Sequence, residues 1–429
     1  MSHYKPYPAY KDSGVEWLGQ VPELWHVKKL KWLASLQSGD FITGESIEDD
    51  GAYPVFGGNG LRGYAQSFTH DGHYALIGRQ GALCGNINYA DGKFWASEHA
   101  VVVSPYQTVA TKWLGEMLRT MNLNQYSVSA AQPGLAVERV TDLYVSVPAL
   151  GEQLAIAAHL GHETTRIDAL VEKKTRFIEL LREKRQALIT HAVTKGLDPN
   201  AKMKDSGVEW LGEVPENWSV LPLRRGMSFL TDYEANGSFA DTKENVSLDA
   251  GEPFAWYVRA TDLENGNLGI SECTRYCDEK TYIFLKKTAL RGGELLIAKR
   301  GEIGKVYIMP ETCKPATLAP NLYLIRLNKL LLPEFAFYWF TSSYGRPQLE
   351  LADKSTTIGA LYKDDVRDII CTFPPASEQK QIVESISGSC TRLKVFEEKV
   401  EKSIQLLKER RSALIIAAVT GQIDLREAV

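Results

Sequence analysis

Apolar residues recur at alternating steps of four and three through two stretches of this chain. The first runs through Leu160, Thr164, Ile167, Val171, Lys174, Ile178, Leu181, Arg185, Leu188 and Ala192. The second runs through Ile386, Cys390, Leu393, Glu397, Val400, Ile404, Leu407, Arg411, Leu414 and Ala418. Charged residues fill the intervals. Such spacing turns one stripe of a helix toward a partner helix. Both stretches lack proline, are rich in strong helix formers, start after proline and end near Gly196 or Gly421. The pattern predicts two helices of about 40 residues, each ~60 Å long, packed on each other as an antiparallel coiled coil. Beside the seam lies a wider apolar strip. With the seam leucines, its candidate subunit-docking residues are Leu181, Leu188, Ile189 and Val193, copied at Leu407, Leu414, Ile415 and Val419. The favoured reading is a docking surface for partner helices. The competing reading is that the strip packs on the chain's own lead-in segments.

Between these stretches the pattern changes. In residues 31–147, short apolar runs at Ala75–Ile77 and Ala100–Val103 are bounded by glycines and read as strands. Lys112 to Met121 reads as a helix. In residues 224–373, strand-like runs lie in 254–263, 292–309 and 321–327, followed by a helix from Pro333 to Phe340. The segments LIGRQGALCG and LIAKRGEIG share one layout of strand, basic residue, glycine and turn. Both regions are expected to be strand-rich α+β domains of one kind.

Two internal repeats organise the chain. KDSGVEWLG at 11–19 recurs at 204–212, and Val21, Pro22, Glu23, Trp25, Val27 and Leu30 recur as Val214, Pro215, Glu216, Trp218, Val220 and Leu223. Residues 148–198 match 374–424 without a gap, Glu152-Gln153 falling on Glu378-Gln379. The unit is a lead-in segment, a variable globular region and a long charged helix, used twice. This places domains at 1–147 and 204–373, with helical spacers at 148–203 and 374–429. The order is circular. If a pseudo-two-fold axis relates the halves, the N-terminal lead-in should lie beside the end of the second helix.

Composition narrows the function. The chain has 429 residues, 44% hydrophobic and 24% charged, with 49 Lys and Arg against 53 Asp and Glu for a formal charge of −4. That is an ordinary globular balance of two or three domains, and a free-standing electrostatic coat for DNA is unlike it. The six cysteines, Cys84, Cys273, Cys277, Cys313, Cys371 and Cys390, are too scattered for a disulfide framework. Cys273 and Cys277 alone form a weak zinc signal. The first ten residues lack the apolar core of a secretory signal, and no apolar run reaches the ~20 residues of a membrane helix. A cytoplasmic location is expected.

The glycine-bounded turns carry the candidate chemistry. Asn59, Arg62, Tyr64, Arg79, Gln80, Asn86 and Asn88 cluster along the first region, and Arg259, Thr261, Lys299, Arg300 and Lys305 along the second. Arginine, asparagine and glutamine read base edges bidentately, and glycine lets backbone amides approach phosphate. Any one such loop equally suits a solvated turn; the argument rests on recurrence in both halves. Catalytic motifs are missing. Gly301-Glu302-Ile303-Gly304-Lys305 has the wrong spacing for a P-loop, and Phe56-Gly57-Gly58-Asn59-Gly60 opens no helix as a dinucleotide fingerprint would. Phe373-Pro374-Pro375-Ala376 lacks the amide and the final aromatic of an amino-methyltransferase tetrapeptide. His70, His73 and Glu98-His99 form only a loose metal-like grouping, so no metal is expected.

The tandem layout, the two charged helices and the lead-in KDSGVEWLGQVPELW resemble the specificity subunits of type I restriction–modification systems. YPVFGGNGLRGY (53–64), LIGRQGALCGN and GKFWASEHAVVV resemble one class of their target recognition domains, and GGELLIAKRGEIGKV another. The resemblance covers essentially the whole chain. It implies a non-catalytic subunit whose two domains each read half of a bipartite double-stranded DNA target, with the helices setting the spacer. It implies two adenine-methylating modification subunits docked on the helices, restriction subunits that cleave DNA, and S-adenosylmethionine, ATP and Mg bound by those partners, with no cofactor on this chain. Two alternatives stay open: the specificity subunit of a combined methyltransferase and nuclease, and a scaffold whose arms bind protein or glycan.

Overall fold

The computed structural model describes residues 4–81, 83–106, 109–127, 134–248, 252–264, 274–300, 303–312, 314–352 and 361–426. The chain divides into two compact units, Met1–Thr175 with Glu401–Val429, and Arg176–Val400. Each joins one strand-rich domain to the start of one long helix and the end of the other.

In the first unit, Tyr10–Asp12 and Gln20–Pro22 form a lead-in hairpin. His26–Lys29 then pairs with Tyr144–Val147, so the domain begins and ends on one two-stranded clasp. Between them lie β1 (Ala34–Ser38), β2 (Tyr53–Gly57), β3 (Gly60–Ala65), β4 (His70–Gly78), β5 (Ile87–Ala96) and β6 (Ala100–Pro105). They form one sheet in the order β1-β6-β4-β5-β2-β3. The apolar runs expected to be strands are the cores of β4 and β6, and Ala75, Leu76, Ile77 and Ala100–Val103 are buried. Helix α1 (Thr111–Thr120) turns Trp113, Leu114, Met117 and Leu118 inward. These positions recur every three to four residues, the period of a helix buried along one stripe.

The second unit repeats the plan. Met203–Asp205 pairs with Glu213–Pro215, and Ser219–Pro222 with Ile370–Phe373. Its main sheet holds β7 (Met227–Asp232), β8 (Leu295–Ala298), β9 (Val306–Ile308) and β10 (Leu322–Leu327) in the order β7-β10-β8-β9. A second small sheet places Ala255–Val258 beside Ala316–Leu318. Helix α3 (Pro333–Thr341), opened by a proline in its first turn, buries Phe335, Ala336, Trp339 and Phe340.

The long helices are α2, Leu150–Lys195 (46 residues), and α4, Ala376–Val419 (44 residues). Both exceed the expected 40 because the Glu-Gln of each first turn is helical. Gln153 explains the anchoring: its Oε1 accepts the Ala110 N–H at 2.8 Å and its Nε2 donates to the Pro148 carbonyl at 2.9 Å. Gln379 repeats both contacts, with the Leu332 N–H and the Pro374 carbonyl, at 2.8 Å each. The seam residues are buried or half-buried apart from Arg185 and Leu188. Arg411 pairs with Asp168 at 2.9 Å in the first unit, and Arg182 with Glu397 at 2.6 Å in the second.

The docking strip needs correction. Ile189 and Val193 are buried in a core cluster shared with Val214 and Trp218 of the second lead-in. Leu414, Ile415 and Val419 are buried with Tyr7 and Trp25 of the first. Leu181 is buried and Leu407 half-buried on the helix seam; of the eight, Leu188 alone is open. The lead-in tryptophans need an apolar wall, and the wider strip supplies it. The circular order is visible within the first unit. Lys5 bridges Asp424, and the Tyr10 hydroxyl donates to the Gly421 carbonyl at 3.1 Å. Both helices end on a left-handed glycine, Gly196 at φ +76° and Gly421 at φ +77°, as a glycine-capped terminus requires. Among the described residues no helix is long and apolar enough to cross a membrane.

Candidate nucleic-acid interface

The two domains carry the same strand frame, and the candidate basic residues sit at one place in it. At the end of β4, Arg79 donates its N–H to the His99 carbonyl at 2.9 Å and accepts the Leu135 N–H at 2.8 Å. At the end of β8, Lys299 donates to the Asn321 carbonyl at 2.8 Å and accepts the Leu361 N–H at 3.1 Å. One residue earlier, Gly78 donates to the Asn86 carbonyl at 2.8 Å and Ala298 to that of Lys305 at 2.9 Å. Arg79 therefore corresponds to Lys299, Gln80 to Arg300 and Asn86 to Lys305. The four-strand orders β1-β6-β4-β5 and β7-β10-β8-β9 agree with this pairing.

In the first domain the turn after β4 meets the β2–β3 hairpin. A Cβ at Gly58 would lie 3.2 Å from the Gln80 carbonyl oxygen, and one at Gly60 would lie 3.2 Å from Asn88 Oδ1. A Cβ at Gly78 would lie 2.1 Å from the Gly58 carbonyl oxygen, so that crossing admits only glycine. The hairpin carrying Asn59 thus lies against Arg79, Gln80 and Asn88. Asn59 and Gln80 are exposed; Arg79, Asn86 and Asn88 are half-buried. Arg79 spends one N–H on Ser38 Oγ at 3.1 Å. Arg62 is exposed on β3, its side chain against Gly57, and Tyr64 is half-buried where its backbone exchanges two hydrogen bonds with Glu48 at 2.9 Å.

In the second domain the candidates are less open. Lys299 is 5% exposed; its ammonium reaches Asp232 Oδ2 at 2.7 Å and Glu234 Oε1 at 2.9 Å, over the Tyr323 ring. Such a buried, doubly paired lysine is a structural anchor, which corrects the expectation that it faces bases. Arg300 is exposed, with Nη2 3.7 Å from Glu234 Oε1. Arg259 holds Asp262 through a 2.6 Å contact from Nη2. Thr261 is exposed in the next turn. Lys305 pairs with Glu264, which also accepts from the Tyr307 hydroxyl at 2.8 Å. A cavity of about 740 Å³ opens beside Arg300, lined by Tyr233, Glu234, Ser238, Lys243 and Tyr257 among others. Burial raises both phenol pKa values, so the two tyrosines stay protonated hydrogen-bond donors. The sequence reading missed Asp232, Glu234 and this cavity. No local motif marks them, because Asp232 and Glu234, at and just after the end of β7, meet Lys299 and Arg300 only through the fold.

Asp232 is buried, which by itself raises its pKa; the ammonium groups of Lys299 and Lys363, the latter at 2.7 Å, outweigh burial and hold it below the usual carboxylate range. The histidines do not converge. His73 pairs with Asp91 at 2.7 Å, His99 with Glu98 at 3.2 Å, and His70 meets Thr69 while stacking on Phe94. Among the described residues no group of three or more His, Cys, Asp or Glu could hold a metal ion. Cys273 and Cys313 lie outside the described residues. Burial raises the Cys277 thiol to about 11 and keeps it protonated.

The profile of the type I restriction modification DNA specificity domain matches residues 22–179 and 237–401. The chain belongs to that family and carries its domain twice. It is 44% identical over 149 residues to the EcoprrI specificity subunit of Escherichia coli, covering 34% of this chain and 37% of that one. It is 20% identical over 431 residues to the E. coli EcoDI specificity subunit, covering 94% and 90%. Its fold matches a solved chain of a type I R-M system in a study of complex assembly, at TM-score 0.70, 14% identity and 94% and 99% coverage. It also matches the HsdS subunit from Thermoanaerobacter tengcongensis at TM-score 0.53, 14% identity and 94% and 98% coverage. As the family assigns, the chain is a type I specificity subunit, acting in recognition of DNA.

Proposed function

We propose that each strand-rich domain reads one half of a bipartite, asymmetric duplex target. The observation that carries this is the shared turn, with Arg79-Gln80 and Lys299-Arg300 at one place in two copies of one strand frame. Asn59, Gln80 and Asn88 surround Arg79, and Arg300 flanks the tyrosine-lined cavity. Arg79 and Arg300 are the base readers of their halves, matching guanine bidentately. Arg62, Tyr64, Asn86, Arg259, Thr261 and Lys305 serve the duplex around them.

The helices act as an antiparallel coiled coil whose length sets the unread spacer. Two ion pairs support this register. Arg182 lies fourteen residues beyond Asp168, and its partner Glu397 lies fourteen before Arg411. Two modification subunits dock on the helices, using apolar side chains that the chain leaves open. These include Leu154, Leu170, Leu406 and Ile416 in the first unit, and Phe177, Leu188, Val395 and Phe396 in the second. The partners bind S-adenosylmethionine, ATP and Mg and methylate or cleave; this chain performs neither step. They also supply much of the phosphate contact, which accords with the net charge of −4 on this chain.

The test is sequencing of methylated adenines in cells carrying this chain with its modification subunit. A two-part methylated motif is expected, one half changing when residues 31–147 are exchanged for those of a relative. An assembled complex that methylates no motif would overturn the reading.

A further inference from the structure

The two copies of the helical scaffold differ in charge at one position. In the first unit Arg411 is neutralised by Asp168 at 2.9 Å. The repeat makes Arg185 the counterpart of Arg411 and Lys394 the counterpart of Asp168. Within the second unit, Arg182 and Glu397 fix the register of the helices at 2.6 Å. Arg185 is three residues beyond Arg182, and Lys394 three before Glu397. The register that gives the first unit an ion pair therefore sets two cations face to face in the second. Arg185 is exposed, and no carboxylate is recorded with either residue among the described ones. Like charges so placed repel unless an anion joins them.

A cavity of about 350 Å³ opens beside Arg185, lined by it and by Arg182, Lys305 and Arg346 together with Tyr307 and Tyr338; Lys394 is placed near it by the register rather than by the lining. Among the described residues no carboxylate lines it. Three of its cations pair with carboxylates outside the lining, Arg182 with Glu397, Lys305 with Glu264 and Arg346 with Glu350. The volume suits a small ligand, the guanidinium groups match phosphate oxygens, and the aromatic rings offer a face to a planar base.

We propose that this cavity is a binding site for a nucleotide phosphate, with Arg185 and Lys394 as the charges its phosphate neutralises. The nucleotide is either a free mononucleotide or one belonging to bound DNA. The site excludes the base readers Arg79 and Arg300 but shares Lys305 with the far end of the second domain's turn; in the first unit Asp168 takes the anion's place.

The experiment is calorimetric titration of the full chain with adenosine monophosphate, alongside duplex binding by the chain with its modification subunits. The variants are Arg185→Gln and Lys394→Asp, the second restoring the acid of the other copy. Both should melt as the wild type does. Heat on adding the mononucleotide, weakened at least tenfold in both variants, would establish the site with a free ligand. No such heat, with duplex affinity falling about tenfold for all sequences alike, would establish it with DNA as the source. Variants that match the wild type in both measurements would overturn the proposal. In either event half-site preference stays intact, so failure here is distinguishable from failure of the base-reading turns.

Discussion

Lys299 donates to Asp232 Oδ2 at 2.7 Å at the place where, in the first domain, Arg79 donates to Ser38 Oγ at 3.1 Å. Ser38 faces Val101 across the sheet and Asp232 faces Tyr323, equivalent rungs of equivalent strands. One frame thus holds two chemistries. A half-buried arginine bound to a neutral hydroxyl keeps most of its donors uncommitted by that contact. A buried lysine bound to a carboxylate keeps few.

Asp232→Asn should therefore cost the second domain about 3–5 kcal/mol, because it leaves Lys299 buried with its main counter-charge removed. The urea midpoint should fall, and Lys299→Met added to Asp232→Asn should recover much of the loss. An unchanged midpoint for Asp232→Asn would show that Lys299 finds solvent without cost.

The same pair sets an acid limit. The folded pKa of Asp232 lies below its unfolded value of ~3.9. Its contribution is complete above that unfolded value and is lost as pH falls through the depressed folded one. Asp232→Asn should flatten the dependence of stability on pH below about 4. Unfolding curves of the two proteins between neutral and acid pH check this.

Arg79→Ala should relax one half-site and leave the other unchanged, by ~1–3 kcal/mol for a bidentate base contact. Arg300→Ala should do the same to the other half. Binding to duplexes altered in either half reads both effects. A uniform loss over all sequences, with a shallower salt dependence, would place the arginine on phosphate.

Gly421→Ala should destabilise more than Gly196→Ala. Both glycines hold positive φ, at a cost of about 1–2 kcal/mol for any other residue. At Gly421 the added methyl would also lie 2.4 Å from Pro22 Cδ, whereas at Gly196 its nearest neighbour is Glu378 Oε1 at 3.2 Å. Thermal unfolding orders the two, and equal losses would argue against close packing of the N-terminal lead-in on the end of α4.

Leu181→Asp and Leu407→Asp should open the helix pair and abolish assembly, since each puts a charge into the seam at a cost of several kcal/mol. Leu188→Asp and Phe396→Ser, at exposed positions, should fold normally; loss of modification-subunit binding in Phe396→Ser would assign that face to docking. Circular dichroism melts with a binding assay separate the two behaviours.

Periodicity and repetition made much of this molecule legible from residues alone. The 4-3 spacing at Leu160–Ala192 marked a helix, because a seam must recur at the period of the helix that carries it. The copies of KDSGVEWLG and of Glu-Gln marked two equal halves, and the matched turns at Arg79 and Lys299 marked one frame. Other features depend on what comes together in space. Ile189 and Leu414 looked like an open strip because nothing near them in the chain covers them; Trp218 and Trp25 do so from elsewhere. Lys299 read as a free cation because Asp232 stands 67 residues away. Apolar period is a local property that a chain writes along itself. Burial and charge neutralisation belong to pairs of distant residues, and only the tertiary structure decides those.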